Sequence, residues 1–138
     1  MNRQRRRVCV REVMKDGFDM VDGMATVAEA LRAARHPDTK CLIVRKRDAH
    51  DEYGIVLYSD IAKRVLARDR APERVNVYEI MSKPVVGVSP EMDIRYCARL
   101  FENFGIPRAP VIEHGEVIGI IGYTDMVLQG MLPQFDGD

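Results

Sequence analysis

Apolar positions recur along the chain in two forms, short continuous runs and stripes at helical spacing, and the series is stated twice. The runs Gly54-Ile55-Val56-Leu57 and Gly119-Ile120-Ile121-Gly122 each read as a buried strand. Each leads into Tyr, then a hydroxyl residue and an Asp, Ser59-Asp60 in one copy and Thr124-Asp125 in the other, with helices expected from Ile61 and from Met126. A strand end that meets a helix N-terminus offers free backbone N–H donors, and the Asp offers an acceptor for sugar hydroxyls.

The repeat extends well beyond this phrase. Arg11-Glu12-Val13-Met14 is echoed by Tyr78-Glu79-Ile80-Met81, 67 residues later, and the stretch 18–21 by 85–88, each expected to be a short strand. A helix follows in both copies. In the first, Thr26 and Glu29 have the spacing of a capping box, and Val27, Ala30, Leu31 and Ala34 form the apolar stripe. In the second, Asp93 is the cap, Ile94, Cys97, Ala98 and Phe101 form the stripe, and Gly105 is the stop. Strands at 41–44 and 109–112 come next, each entering a polar turn. The first of those turns is two residues longer, so the strand-to-helix phrase recurs after 65 residues instead of 67. Surface loops absorb such a difference at small cost.

The expected architecture is a mixed α/β fold of two tandem β-α-β-β-α repeats packed about a pseudo-twofold axis. The expected boundaries are a basic arm at 1–7, repeats at 8–70 and 76–133, a linker at 71–75 and a tail at 134–138. One repeat of roughly 60 residues is marginal alone, and pairing buries the open apolar face.

Composition narrows the class. The hydrophobic share is 46% and the charged share 30%, as in an ordinary globular protein. With 21 basic and 21 acidic residues the formal net charge is zero, so no overall field draws in nucleic acid or an anionic membrane. No run reaches the roughly 20 apolar residues of a membrane span, and no apolar core follows the basic start, so a cytoplasmic location is expected. Cys9, Cys41 and Cys97 lack Cys-x-x-Cys spacing and read as small thiols, mostly buried. The scattered His36, His50 and His114 suggest no metal site, and no nucleophile-base pair or phosphate-cradling Gly loop points to an enzyme.

The Glu-apolar-Met phrase, the helix entry Ser89-Pro90-Glu91 and the Gly-led strand ending in Asp, in ordered double occurrence over 8–132, resemble a CBS domain pair, or Bateman module. The resemblance implies a regulatory module without catalysis, usually a homodimer, that binds AMP, ADP, ATP or S-adenosylmethionine in clefts between the repeats and requires no cofactor. It implies ribose binding by Asp60 and Asp125. It places the base between Phe18, Leu42 and Ile43 in one site and between Val85, Ala109 and Pro110 in the other, with phosphate near Arg108.

Two departures matter. The family commonly has Thr or Ser three residues before the Asp, where this chain has Leu57 and Gly122. Ser59 and Thr124 are the substitutes, either as ligand contacts or as helix caps alone. The second site, with Asp125, Arg108, Pro110 and the adjoining Ser82 and Lys83, is the better equipped; the first has Cys41 where the basic residue would stand. With no segment left over for an effector domain, a stand-alone module acting on a separate effector protein is expected. The other reading is a dimerisation or docking module that binds no ligand.

Overall fold

The computed structural model describes residues 6–136. Most of the arm expected at 1–7 and the end of the tail expected at 134–138 lie outside the described residues. Within them, Arg6 pairs with Glu12 at 2.7 Å and Arg7 donates to the Glu91 carbonyl at 3.2 Å, so this part of the arm is held by side-chain contacts. The tail is helical over Pro133–Asp136.

The chain forms two compact units. The first is Gly17–Val85; the second joins the described residues up to Asp16 with those from Val86 onwards.

In the first unit, β1 (Met20–Val21) lies parallel to β2 (Cys41–Val44), which pairs antiparallel with β3 (Gly54–Leu57). Helix α1 (Val27–Ala33) starts at the expected box: Thr26 Oγ1 accepts from the Glu29 N–H at 3.1 Å, and Glu29 accepts from the Thr26 N–H at 2.9 Å. Val27 and Ala30 enter the core as expected, whereas Leu31 stays 40% exposed. Helix α2 (Tyr58–Ile61) continues β3 directly and widens into π-type turns over Ala62–Leu66.

The core of this unit also takes Val75, Val77 and Ile80. They are fixed by the Val27 N–H to the Val75 carbonyl and the Val77 N–H to the Ala25 carbonyl, both at 2.8 Å. The start of the expected second repeat therefore packs with the body of the first.

The second unit shows the counterpart. Val8, Val10 and Val13 join Val88, Ile94, Cys97, Phe101, Ala109, Val111, Ile121 and Met126 in one core. Helix α3 (Ile94–Phe104) is capped by Asp93, which accepts from the Arg95 N–H at 2.8 Å, and it stops at Gly105 with φ 67°. Strands β4 (Arg108–Glu113) and β5 (Glu116–Gly122) pair antiparallel through a two-residue turn. Both turn residues, His114 and Gly115, have positive φ (52° and 78°), the hairpin geometry that matches strand twist. Helix α4 (Tyr123–Asp125) continues β5 and widens over Met126–Met131. At 85–88, where a strand was expected, Val88 alone bridges to Val111.

The units thus divide the chain near residues 16 and 85, about ten residues past the starts of the expected repeats at 8 and 76. A repeat of constant period looks the same whether a segment packs on its own copy or on the other, so the exchange leaves no mark in the pattern.

Candidate functional site

Both strand-to-helix junctions share one local mechanism. The helices start at Tyr58 and Tyr123, three residues earlier than expected, because the cap is not the hydroxyl residue. Leu57 and Gly122 occupy the N-cap without any side-chain bond, and the Asp three residues on reaches back to the cap's own N–H. Asp60 accepts from the Leu57 N–H at 3.0 Å, and Asp125 from the Gly122 N–H at 2.8 Å. Each is half of a capping box, with an acid where the helix dipole favours it. Ser59 and Thr124 are therefore not caps, correcting that expectation; they lie in the first helical turn with exposed side chains.

The two junctions differ in what stands beside the Asp. In the second unit Lys15 exchanges two backbone bonds with Ile120 of β5, Lys15 N–H to Ile120 O at 2.8 Å and the reverse at 2.9 Å, and its ammonium pairs with Asp125 Oδ1. The Asp125 side chain is 8% exposed and that of Lys15 31%. In the first unit the equivalent stretch brings Ser82 to Ile55 through the same pair of backbone bonds, each 2.9 Å. Ser82 carries no charge, and among the described residues Asp60 has no ion-pair partner. Lys15 is a neighbour of Asp125, and so a candidate site residue, that the sequence reading missed. Its link to Asp125 spans 110 residues and exists only because the N-terminal segment packs on the second unit.

The close approach of that segment explains the glycine that opens the phrase. A Cβ on Gly119 would stand 2.6 Å from the Lys15 carbonyl and 2.8 Å from Met14 Sδ, so only glycine fits beside this backbone.

Of the expected site residues, the second unit holds Asp125, Thr124, Arg108, Ala109 and Pro110. Arg108 lies directly across the hairpin from Gly122, half-exposed and, among the described residues, without an acidic partner. Ala109 is fully buried in the core. The first unit holds Asp60, Ser59, Phe18, Leu42, Ser82, Lys83 and Val85. Leu42 is a core residue and Phe18 is half-buried. Ser82, Lys83 and Val85, expected beside Asp125, belong instead to the unit of Asp60: Lys83 pairs with Asp51 at 2.6 Å, and the Val85 N–H donates to the Tyr53 carbonyl at 3.0 Å. They follow the exchanged segment.

The second site therefore gathers one buried carboxylate and two cations at a strand-to-helix junction. A carboxylate has about four acceptor positions. The Gly122 N–H takes one on one oxygen and Lys15 one on the other, which leaves acceptor capacity on both for hydroxyl donors.

Comparison with known proteins agrees on the fold. A family profile described as CBS domain matches residues 77–129. The hexameric CBS-CP12 protein from bloom-forming cyanobacteria is 38% identical and superposes with a TM-score of 0.85, covering 91% of this chain and 73% of that one. An uncharacterised protein of Methanopyrus kandleri is 29% identical over 126 residues, 88% of this chain and 62% of its own length. The chain spans about three fifths of the length of the curated relatives it matches first. The CBS domain pair of protein MJ0100, solved in complex with 5′-methylthioadenosine and S-adenosyl-L-methionine, shares the fold at 21% identity and a TM-score of 0.72, covering 87% of this chain and 97% of that one.

Proposed function

The chain belongs to the CBS domain family, as a pair of tandem repeats, and we propose on that premise that it is a regulatory module binding an adenosine-containing ligand at Asp125, with no catalysis of its own. AMP, ADP and ATP are the first candidates and S-adenosylmethionine the next. The observation that carries this reading is the buried Asp125 carboxylate beside Lys15, with Arg108, which has no acidic partner among the described residues, across from Gly122. Asp125 accepts from ribose hydroxyls, and the two cations favour a phosphate-bearing ligand. The protein responds by differential affinity: a ligand that binds one conformational state better shifts the population toward it, and a partner protein reads the change.

Self-association is part of the proposal. Tyr96, Val127, Leu128, Met131 and Phe135 expose large apolar surface on the helices of the second unit. A groove of about 450 Å³ lies among Ile94, Ala98, Met126, Val127, Met131 and Phe135. Apolar surface of this kind marks an interaction site, and the neighbour of 38% identity is hexameric. No described helix is long and apolar enough to cross a membrane.

One feature favours a second reading, a docking module that binds no ligand. Both oxygens of Asp125 already have partners within the chain, and Leu57 and Gly122 supply no hydroxyl. A thermal-shift panel with AMP, ADP, ATP, S-adenosylmethionine and NAD separates the two. A ligand at 100 times its Kd stabilises by roughly 2.7 kcal/mol, which moves the midpoint of a domain this size by several degrees. If no compound moves it, the docking reading stands.

A further inference from the structure

At the end of the first unit's sheet opposite Asp60, beyond the C-terminal residues of β1 and β2, lies a cavity of about 310 Å³. Arg45, Arg47 and Lys83 line it with one acid, Asp22, and Tyr78 and Met24 give it an apolar wall. We propose that this cavity is a second ligand site, which accepts a small organic phosphate with a planar body, the guanidinium groups meeting the anion and Tyr78 the ring.

The cavity is built on fixed backbone. The Arg45 N–H donates to the Val21 carbonyl at 2.9 Å, and the Tyr78 N–H to the Gly23 carbonyl at 2.9 Å. Asp22 Oδ1 accepts from the Met24 N–H at 2.8 Å, and Asn76 Nδ2 donates to the Met24 carbonyl at 2.8 Å. Lys83 and Arg47 share the carboxylate of Asp51, at 2.6 and 3.5 Å. Arg45 has no ion-pair partner among the described residues. The lining therefore keeps an excess of positive charge, and guanidinium groups match the oxygens of a phosphate in pairs. An exposed Tyr offers a face on which planar groups and cations pack.

The other repeat shows what the same place looks like when closed. At the 67-residue spacing, Arg11 stands for Tyr78, Glu91 for Met24 and Ile112 for Arg45. There Arg11 is held between Glu91, at 2.9 Å, and Glu113. That corner is filled by its own ion pairs, whereas the first unit replaces the bridge with an aromatic ring beside Arg45, which has no ion-pair partner among the described residues.

The test is titration calorimetry of the full chain with phenyl phosphate, inorganic phosphate and phenol. The expected result is one-site binding of phenyl phosphate, tighter than either fragment. Arg45→Glu should weaken it at least about tenfold and Tyr78→Ala by about fivefold, as expected for losing a charge-assisted contact and a ring contact. Both side chains are exposed, so the variants should fold; unchanged circular-dichroism melting checks this, and Arg47→Glu repeats the test at a second position. Asp125→Asn should leave this binding unaltered, which separates the cavity from the Asp125 site. No heat at about 10 mM ligand, binding indifferent to Arg45→Glu and Arg47→Glu, or binding abolished by Asp125→Asn would each overturn the proposal. Inorganic phosphate binding as tightly, whatever stands at 78, would overturn the ligand class.

Discussion

Lys15 and Asp125 form an ion pair across 110 residues of sequence, and Asp60, the counterpart of Asp125, has no such partner among the described residues. Replacing Lys15 by Met leaves a buried carboxylate without its countercharge. The partial exposure of Lys15 lets water screen part of the loss, so the expected destabilisation is about 1–2 kcal/mol, below that of a fully buried pair. Ser82→Ala, at the equivalent place in the first unit, should cost less than about 0.5 kcal/mol. Urea denaturation of both variants makes the comparison.

The two phrase-opening glycines should respond unequally to alanine. At Gly119 the added methyl meets the fixed Lys15 carbonyl at 2.6 Å. At Gly54 the nearest atom is the flexible Met81 Sδ at 3.0 Å, and the Ser82 carbonyl lies at 3.3 Å. Gly119→Ala should lose about 2–3 kcal/mol, since backbone must move, and Gly54→Ala about 1 kcal/mol or less. Equal losses would mean that the segment carrying Lys15 does not lie against Gly119 as described.

Stability should fall in acid through identifiable carboxylates. The Cys9 N–H, and then Arg6, hold the Glu12 carboxyl at about 2 against an ordinary 4.5. Arg95 lowers that of Asp93, the cap of α3. Both folded values lie below the unfolded ones, so the contribution is complete above about pH 4.5 and is lost as pH falls toward 2. Melting temperature followed from pH 5 to pH 2 should drop for the native chain and drop less steeply for Glu12→Gln.

Thiol chemistry reads the core directly. Burial pushes the Cys97 thiol up to about 11, and its side chain is inaccessible. Cys9 is half-exposed. A disulfide reagent at pH 8 should label Cys9 in the native protein and reach Cys97 only after unfolding. Rapid native labelling of Cys97 would contradict the packing of α3.

The local elements were largely legible because their signals are local. Thr26 with Glu29, Asp93 before Ile94, and Gly105 after Phe104 each act through bonds within a few residues, and all three hold in the structure. The helix starts at Tyr58 and Tyr123 were not legible because capping there comes from the third residue reaching back, while the cap positions hold Leu57 and Gly122. The exchanged segments were hidden for a different reason. Val8, Val10 and Val13 have the same spacing as Val75, Val77 and Ile80, so the pattern is blind to which core each set enters. The candidate site inherited that blindness: Lys15 went unnoticed beside Asp125, and Ser82, Lys83 and Val85, expected with Asp125, fall in the unit of Asp60.

The proposed site makes one demand that no structural role makes. Titration calorimetry with the nucleotide giving the largest thermal shift, on the native chain and on Asp125→Asn, Arg108→Ala and Asp60→Asn, puts it to the test. Loss of a charged hydrogen bond corresponds to about 1.5–3 kcal/mol, so Asp125→Asn and Arg108→Ala should each weaken binding by about tenfold to a hundredfold. Asp60→Asn should change it by less than about threefold. Binding lost in Asp60→Asn and kept in Asp125→Asn would contradict the account.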